Sequence, residues 1–94
     1  LYKSLIPALR EVARKSGYAI GIHGSLRRDL DLIAVPWTPK AVRPDLLARR
    51  LQIAACGLYE RPPRWVQKPH GRIACSLMIG MKAYIDLSVV PGQF

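Results

Sequence analysis

Gly24-Ser25-Leu26-Arg27-Arg28-Asp29-Leu30-Asp31-Leu32-Ile33-Ala34-Val35-Pro36 is the stretch on which the fold turns. Side chains of a strand alternate between its two faces. Over 29–35 that period sends Leu30 and Leu32 to a core and puts Asp29 and Asp31 together on the opposite face. Proline at 36 closes the segment. Upstream, Tyr18 to Gly24 reads as a second strand, and residues 25–28 make a link of hairpin length.

Aspartate is depleted in strands, so two in one strand call for a cause. Converging carboxylates repel one another, and burying them unpaired is costly. A divalent cation resolves that conflict, and Mg²⁺ favours one or two carboxylates with waters and substrate phosphates. Pairing with nearby arginines at the strand ends is the other way out. A third strand acid stands in Tyr84-Ile85-Asp86-Leu87-Ser88-Val89. There Ile85, Leu87 and Val89 share one face, and Asp86 lies on the other with Tyr84 and Ser88.

Around these strands the rest of the chain falls into place. Ser4 caps a helix to about Ser16, with Leu5, Leu9, Val12 and Ala13 on one face and Gly17 as its stop. A second helix starts at Pro44, carries Leu46, Leu47, Leu51, Ala54 and Ala55, and ends at Gly57. Residues 58–70, with three prolines, read as a loop; 71–79 and 83–90 read as strands about a turn at 80–82. The order is α-β-β-α-β-β. It predicts one α+β domain over 1–94, with helices on one face of an antiparallel or mixed sheet.

Gly24-Ser25 lets a phosphate approach the backbone, and Arg27 and Arg28 can fork onto phosphate oxygens. Ordinary turn chemistry accounts for the Gly-Ser pair equally well. His23 beside it is expected to pack at the strand end. Trp37, Trp65 and Tyr59 are expected in core or lid packing rather than base stacking.

Taken together, Gly-Ser-Leu-Arg-Arg followed by Asp-Leu-Asp-Leu-Ile-Ala-Val-Pro (24–36) and Ile-Asp-Leu-Ser-Val-Val-Pro (85–91) resemble the signature of the DNA polymerase β-type nucleotidyltransferases. Its nearest likeness is to their minimal, stand-alone members and to short proteins of tailed bacteriophages. The resemblance implies that Gly24, Ser25 and Arg28 hold the phosphates of an NTP. It implies that Asp29, Asp31 and Asp86 hold Mg²⁺ or Mn²⁺. Nucleoside monophosphate would pass to a hydroxyl acceptor, with Asp86 helping to activate it. Only Leu26, Arg27 and Arg28 separate Ser25 from Asp29, a shorter link than the family usually has.

Composition bounds the alternatives. Ninety-four residues leave no room for a catalytic domain and a full substrate domain. Fifteen Lys and Arg against six acids give a net charge of +9, which favours polyanions such as nucleic acid, nucleotides or anionic lipid. A solvated basic surface fits that number too. Cys56 and Cys75 lack metal-site spacing and are expected as reduced thiols. With no signal peptide or membrane-length apolar run, the expected compartment is the cytoplasm and no membrane partner is expected. A second reading stays open: a catalytically degenerate module that binds nucleic acid or a protein partner. Completion of the site by a homodimer or partner subunit is a third.

Overall fold

The computed structural model describes residues 2–23, 29–57, 62–80 and 83–92. Two helices and five strands follow in the order α1 (Tyr2–Lys15), β1 (Tyr18–His23), β2 (Asp29–Pro36), α2 (Pro44–Cys56), β3 (Val66–Gln67), β4 (Ile73–Gly80) and β5 (Ala83–Val89). The architecture is α+β around one mixed sheet, as the sequence order predicts. Its strand order is β1-β2-β5-β4-β3. Only the β2–β5 pair is parallel; β1–β2, β5–β4 and β4–β3 are antiparallel.

One side of the sheet is the core. Leu30, Leu32 and Ala34 of β2 and Ile85, Leu87 and Val89 of β5 lie there with Cys75, Leu77, Tyr18 and Ile20. Leu9 and Ala13 of α1 and Leu47, Ala48 and Leu51 of α2 cover them. The alternation in β2 and β5 therefore sorts as its period demands, with every Asp turned away from the helices.

In α2 the packing face is rotated from the expected stripe. Leu46 is exposed, whereas Ala48 and Gln52 are buried. Gln52 is tolerated there because its amide donates to the Met78 carbonyl at 2.7 Å, which fastens α2 to β4. Arg43 precedes the helix in extended backbone with Pro44 at its first turn. Gly57, at φ 75°, ends it and donates to the Ile53 carbonyl at 2.7 Å.

Two expectations are corrected. α1 begins at Tyr2 rather than Ser4, so Pro7 lies inside the helix, where it has no N–H to give. The stretch read as one loop over 58–70 contains β3 and a short 3₁₀ turn at Pro69–Gly71. Val66 pairs with Ala74 and Gln67 with Ile73. Pairing with β4, not local propensity, makes those two residues a strand.

The link between β2 and α2 is tied to the end of α1. Trp37 N–H donates to the Gly17 carbonyl at 3.0 Å and Val42 N–H to that of Ser16 at 2.9 Å. Buried Tyr18 adds its hydroxyl to the Val42 carbonyl at 2.6 Å, and burial pushes the phenol pKa up. Arg50 of α2 donates to the Ser16 hydroxyl at 3.0 Å. Among the described residues no helix is long and apolar enough to cross a membrane.

Candidate functional site

The face of the sheet away from the helices carries the acids. Parallel pairing sets Asp31 of β2 directly opposite Asp86 of β5. Residues opposite each other in a ladder project from the same face, so these carboxylates stand side by side. The row continues on both flanks. His23 of β1 lies opposite Asp31, and Ser76 of β4 lies opposite Asp86. Asp29 falls on the same face one step earlier in β2, opposite Tyr84, which in turn faces Met78.

Ser76 Oγ donates to Asp86 Oδ1 at 2.8 Å, which fixes the rotamer of that carboxylate. Asp31 and Asp86 are partly buried, and Asp29 is exposed. The ion pairs among described residues are Arg14–Glu11, Lys15–Glu11 and Arg43–Asp45. None reaches the three strand acids, so pairing with arginine does not explain them among the described residues.

The Asp31 carboxyl is held above the usual carboxylate range. Its burial is the first cause; the hydrogen bond and charge of Asp86 follow, His23 pulls the other way, and Asp29 adds a further push. Folded Asp31 thus keeps its proton at a pH where the unfolded chain has released it. Stability from this group is present below the ordinary Asp value and is lost as pH rises through the folded-state value. Asp31→Asn should therefore raise Tm near pH 7 by about 2–4 °C, the effect of relieving one cross-strand like-charge contact of about 0.5 kcal/mol. Thermal melts from pH 3 to 7 check it: the gain should shrink toward the acid end.

Among the described residues no group of three His, Cys, Asp or Glu side chains converges closely enough to hold a metal ion. The structure brings Asp31 and Asp86 together and leaves Asp29 a strand step away. Gly24, Ser25 and Arg28, the expected phosphate cradle, lie outside the described residues, as do Arg27 and Tyr59.

A groove of about 630 Å³ runs from Asp86 across the outer face of β4 and β5. Its floor includes Ser76, Met78, Tyr84 and Ser88, and its wall is Pro62, Pro63, Arg64, Val66 and Lys68. Trp65 holds that wall to α2 by donating to Asp45 Oδ1. A separate hollow at the far end of β2 is lined by Val35, Pro36, His70, Arg72 and Pro91.

Sequence reasoning gave two residues less weight than they hold. His23 is exposed beside the acids instead of packed, and Ser76 binds Asp86. Strand alternation in 73–80 could have put Ser76 on the outer face, yet only the register sets it against Asp86. Trp37 is exposed, not packed, while Trp65 packs against the core as expected. Neither cysteine is in a disulfide. Burial, with Asp45 and Asp86 adding to it, pushes the Cys75 thiol up to about 12, so it is no nucleophile. A comparison with protein-family models finds no match to this chain, and neither does a comparison with curated proteins.

Proposed function

We propose that this chain is a metal-dependent nucleotidyltransferase, moving a nucleoside monophosphate from an NTP to a hydroxyl acceptor. What carries the reading is the Asp31–Asp86 pair: two carboxylates abreast on adjacent parallel strands, with no Lys or Arg partner among the described residues. The donor set is hard oxygen, which fits Mg²⁺ or Mn²⁺. The Asp31 pKa is raised by its burial first and by the neighbouring Asp86 after it, the kind of perturbation that clusters at functional sites. Asp31 and Asp86 would hold the cation, with Asp29 on the same face as the third carboxylate. When bound, the cation would neutralise charge developing on the transferred phosphoryl group.

The remaining chemistry belongs to the chain. The acceptor hydroxyl oxygen attacks the α-phosphorus and forms the new P–O bond. The bond from that phosphorus to the β-phosphate oxygen breaks, and pyrophosphate leaves. Asp86 takes the hydroxyl proton, its rotamer fixed by Ser76. By the resemblance, Gly24, Ser25 and Arg28 would position the phosphates.

Isothermal titration of Mg²⁺-ATP and the other three NTPs tests the proposal. Saturable binding is expected in the wild type and a loss of at least about tenfold in Asp31→Asn/Asp86→Asn, the scale of a damaged metal site. Equal heats in both proteins with all four nucleotides would overturn it.

One observation favours the second reading, a binding module without chemistry: the third carboxylate does not converge with the pair among the described residues. Nucleic-acid binding indifferent to both substitutions, with no NTP binding at all, is the result that would select it.

A further inference from the structure

The two edges of the sheet are built differently. β3 closes one of them with Val66 and Gln67 alone, set among Pro62, Pro63 and Pro69 with Arg64 and Lys68 close by. Short length, proline and cations are the usual guards of an exposed edge. β1 closes the other edge with six residues, Tyr18-Ala19-Ile20-Gly21-Ile22-His23. It holds no proline, no Lys or Arg and no acid, and its register against β2 runs from Tyr18 to His23 without a bulge.

The outward groups of β1 follow from that register. Trp37 N–H donates to the Gly17 carbonyl at 3.0 Å, one step before Tyr18 meets Pro36. Pro36 has no N–H, so it cannot complete a hydrogen-bonded pair with Tyr18. Hydrogen-bonded and non-hydrogen-bonded pairs alternate along an antiparallel ladder. Ala19, Gly21 and His23 therefore bond to β2, while Tyr18, Ile20 and Ile22 turn their N–H and C=O groups to the open edge. Among the described residues no backbone group bonds to them there.

We propose that β1 pairs antiparallel with β1 of a second copy of this chain, about a two-fold axis at Ile20, joining the two sheets into one. In that register Ile20 meets the partner's Ile20, Tyr18 meets the partner's Ile22, and Ala19 meets the partner's Gly21. Every N–H and carbonyl that Tyr18, Ile20 and Ile22 turn outward then finds a partner. No like charges fall opposite each other in the ladder. Ile22, half-buried in one copy, is covered by the partner's Tyr18. A strand without charge gives a charged peptide nothing to select it by, whereas its own copy matches it across the two-fold. Both acid faces then lie on one side of a continuous sheet. Strand spacing and rise set the two Asp31 positions about 25 Å apart, so each copy keeps a site of its own. The pairing stands whether or not the chain is a transferase.

Sedimentation equilibrium of the full chain at rising concentration, in about 0.05 and 0.5 M salt, tests it. The average mass should climb from 10.5 kDa toward twice that value. Salt should tighten the pair, because two chains of net charge +9 repel until they are screened. Ala19 and Gly21 are exposed, and nothing lies within 4 Å of the Gly21 Cβ position, so substitution at either leaves the single copy folded, as circular dichroism should show. Ala19→Lys/Gly21→Lys should weaken association by at least about tenfold, since it sets like charges opposite each other on both sides of the axis. Ala19→Glu/Gly21→Glu should do the same, and an equal mixture of the two variants should associate again. Hydrogen exchange gives a second readout: the amides of Tyr18, Ile20 and Ile22 should become protected as wild type associates. A chain that stays monomeric at every concentration and salt overturns the proposal and leaves the edge to a strand of another protein. A dimer that ignores both double variants, with those three amides still exchanging freely, overturns it too.

Discussion

On the proposed transferase reading, Asp86→Asn is expected to slow nucleotidyl transfer by about 10²–10⁴-fold, the contribution of a positioned general base, without harming the fold. The substitution keeps the side chain's shape and one carbonyl oxygen, so Ser76 can still donate to it. It removes one of two negative charges that stand opposite each other on β2 and β5. Tm should hold steady or rise by a few degrees, because like charges abreast in a sheet are destabilising. Rate and stability thus move in opposite directions. A site built for binding tolerates internal repulsion that a merely structural site would not keep. Single-turnover assays with each NTP and a panel of hydroxyl acceptors, beside thermal melts of the same samples, check both halves. A rate within threefold of wild type would remove Asp86 from the chemistry. A matching fall in Tm would place it in the scaffold instead.

Gly17→Ala is expected to cost about 3 kcal/mol. Two causes add. The residue sits at φ 92°, where an L side chain is strained by about 1–2 kcal/mol. A Cβ there would also come within 2.6 Å of the Ala41 Cα, 2.9 Å of its Cβ and 3.0 Å of Thr38 Cγ2. Overpacking of that kind costs about 1–3 kcal/mol. The nearest of these atoms is backbone, and all three fall on the segment tied by Trp37 and Val42 to the end of α1. Tm should drop by more than about 10 °C in a domain of this size. Gly57 is the control. Its φ is 75°, but nothing lies within 4 Å of its Cβ position, so Gly57→Ala should lose only the strain, about 1 kcal/mol. Urea denaturation of the two variants side by side decides whether close approach or conformation dominates. Equal losses would mean that the contact with Ala41 relaxes at little cost.

Those two glycines also show where a linear reading stops. Both follow an amphipathic run, and both read as helix stops, which they are. What separates them is the 38–41 segment folding back onto Gly17, a contact with no local trace in the letters. In α2 the helix and its capping were legible from Pro44 and Gly57. Its packing face was not, because Gln52 turns inward to a carbonyl on β4 that only the fold supplies. β3 was missed for a related reason: Val66-Gln67 becomes a strand through its partner Ala74 and Ile73.

For the candidate site, period-two alternation put Asp29, Asp31 and Asp86 on the faces of their strands opposite Leu30, Leu32, Ile85 and Leu87, and that sorting holds throughout. The hydrophobic effect enforces it, since a slip by one residue would bury the carboxylates and expose the leucines. The sequence by itself therefore determined two helices, the main strands and the side on which each acid stands. Only the tertiary structure decided that β2 and β5 are parallel neighbours and that Asp31, not Asp29, faces Asp86. It also decided that His23 and Ser76 flank the pair. Long-range register depends on how whole apolar faces mesh beneath the helices, and no short stretch of chain contains that information.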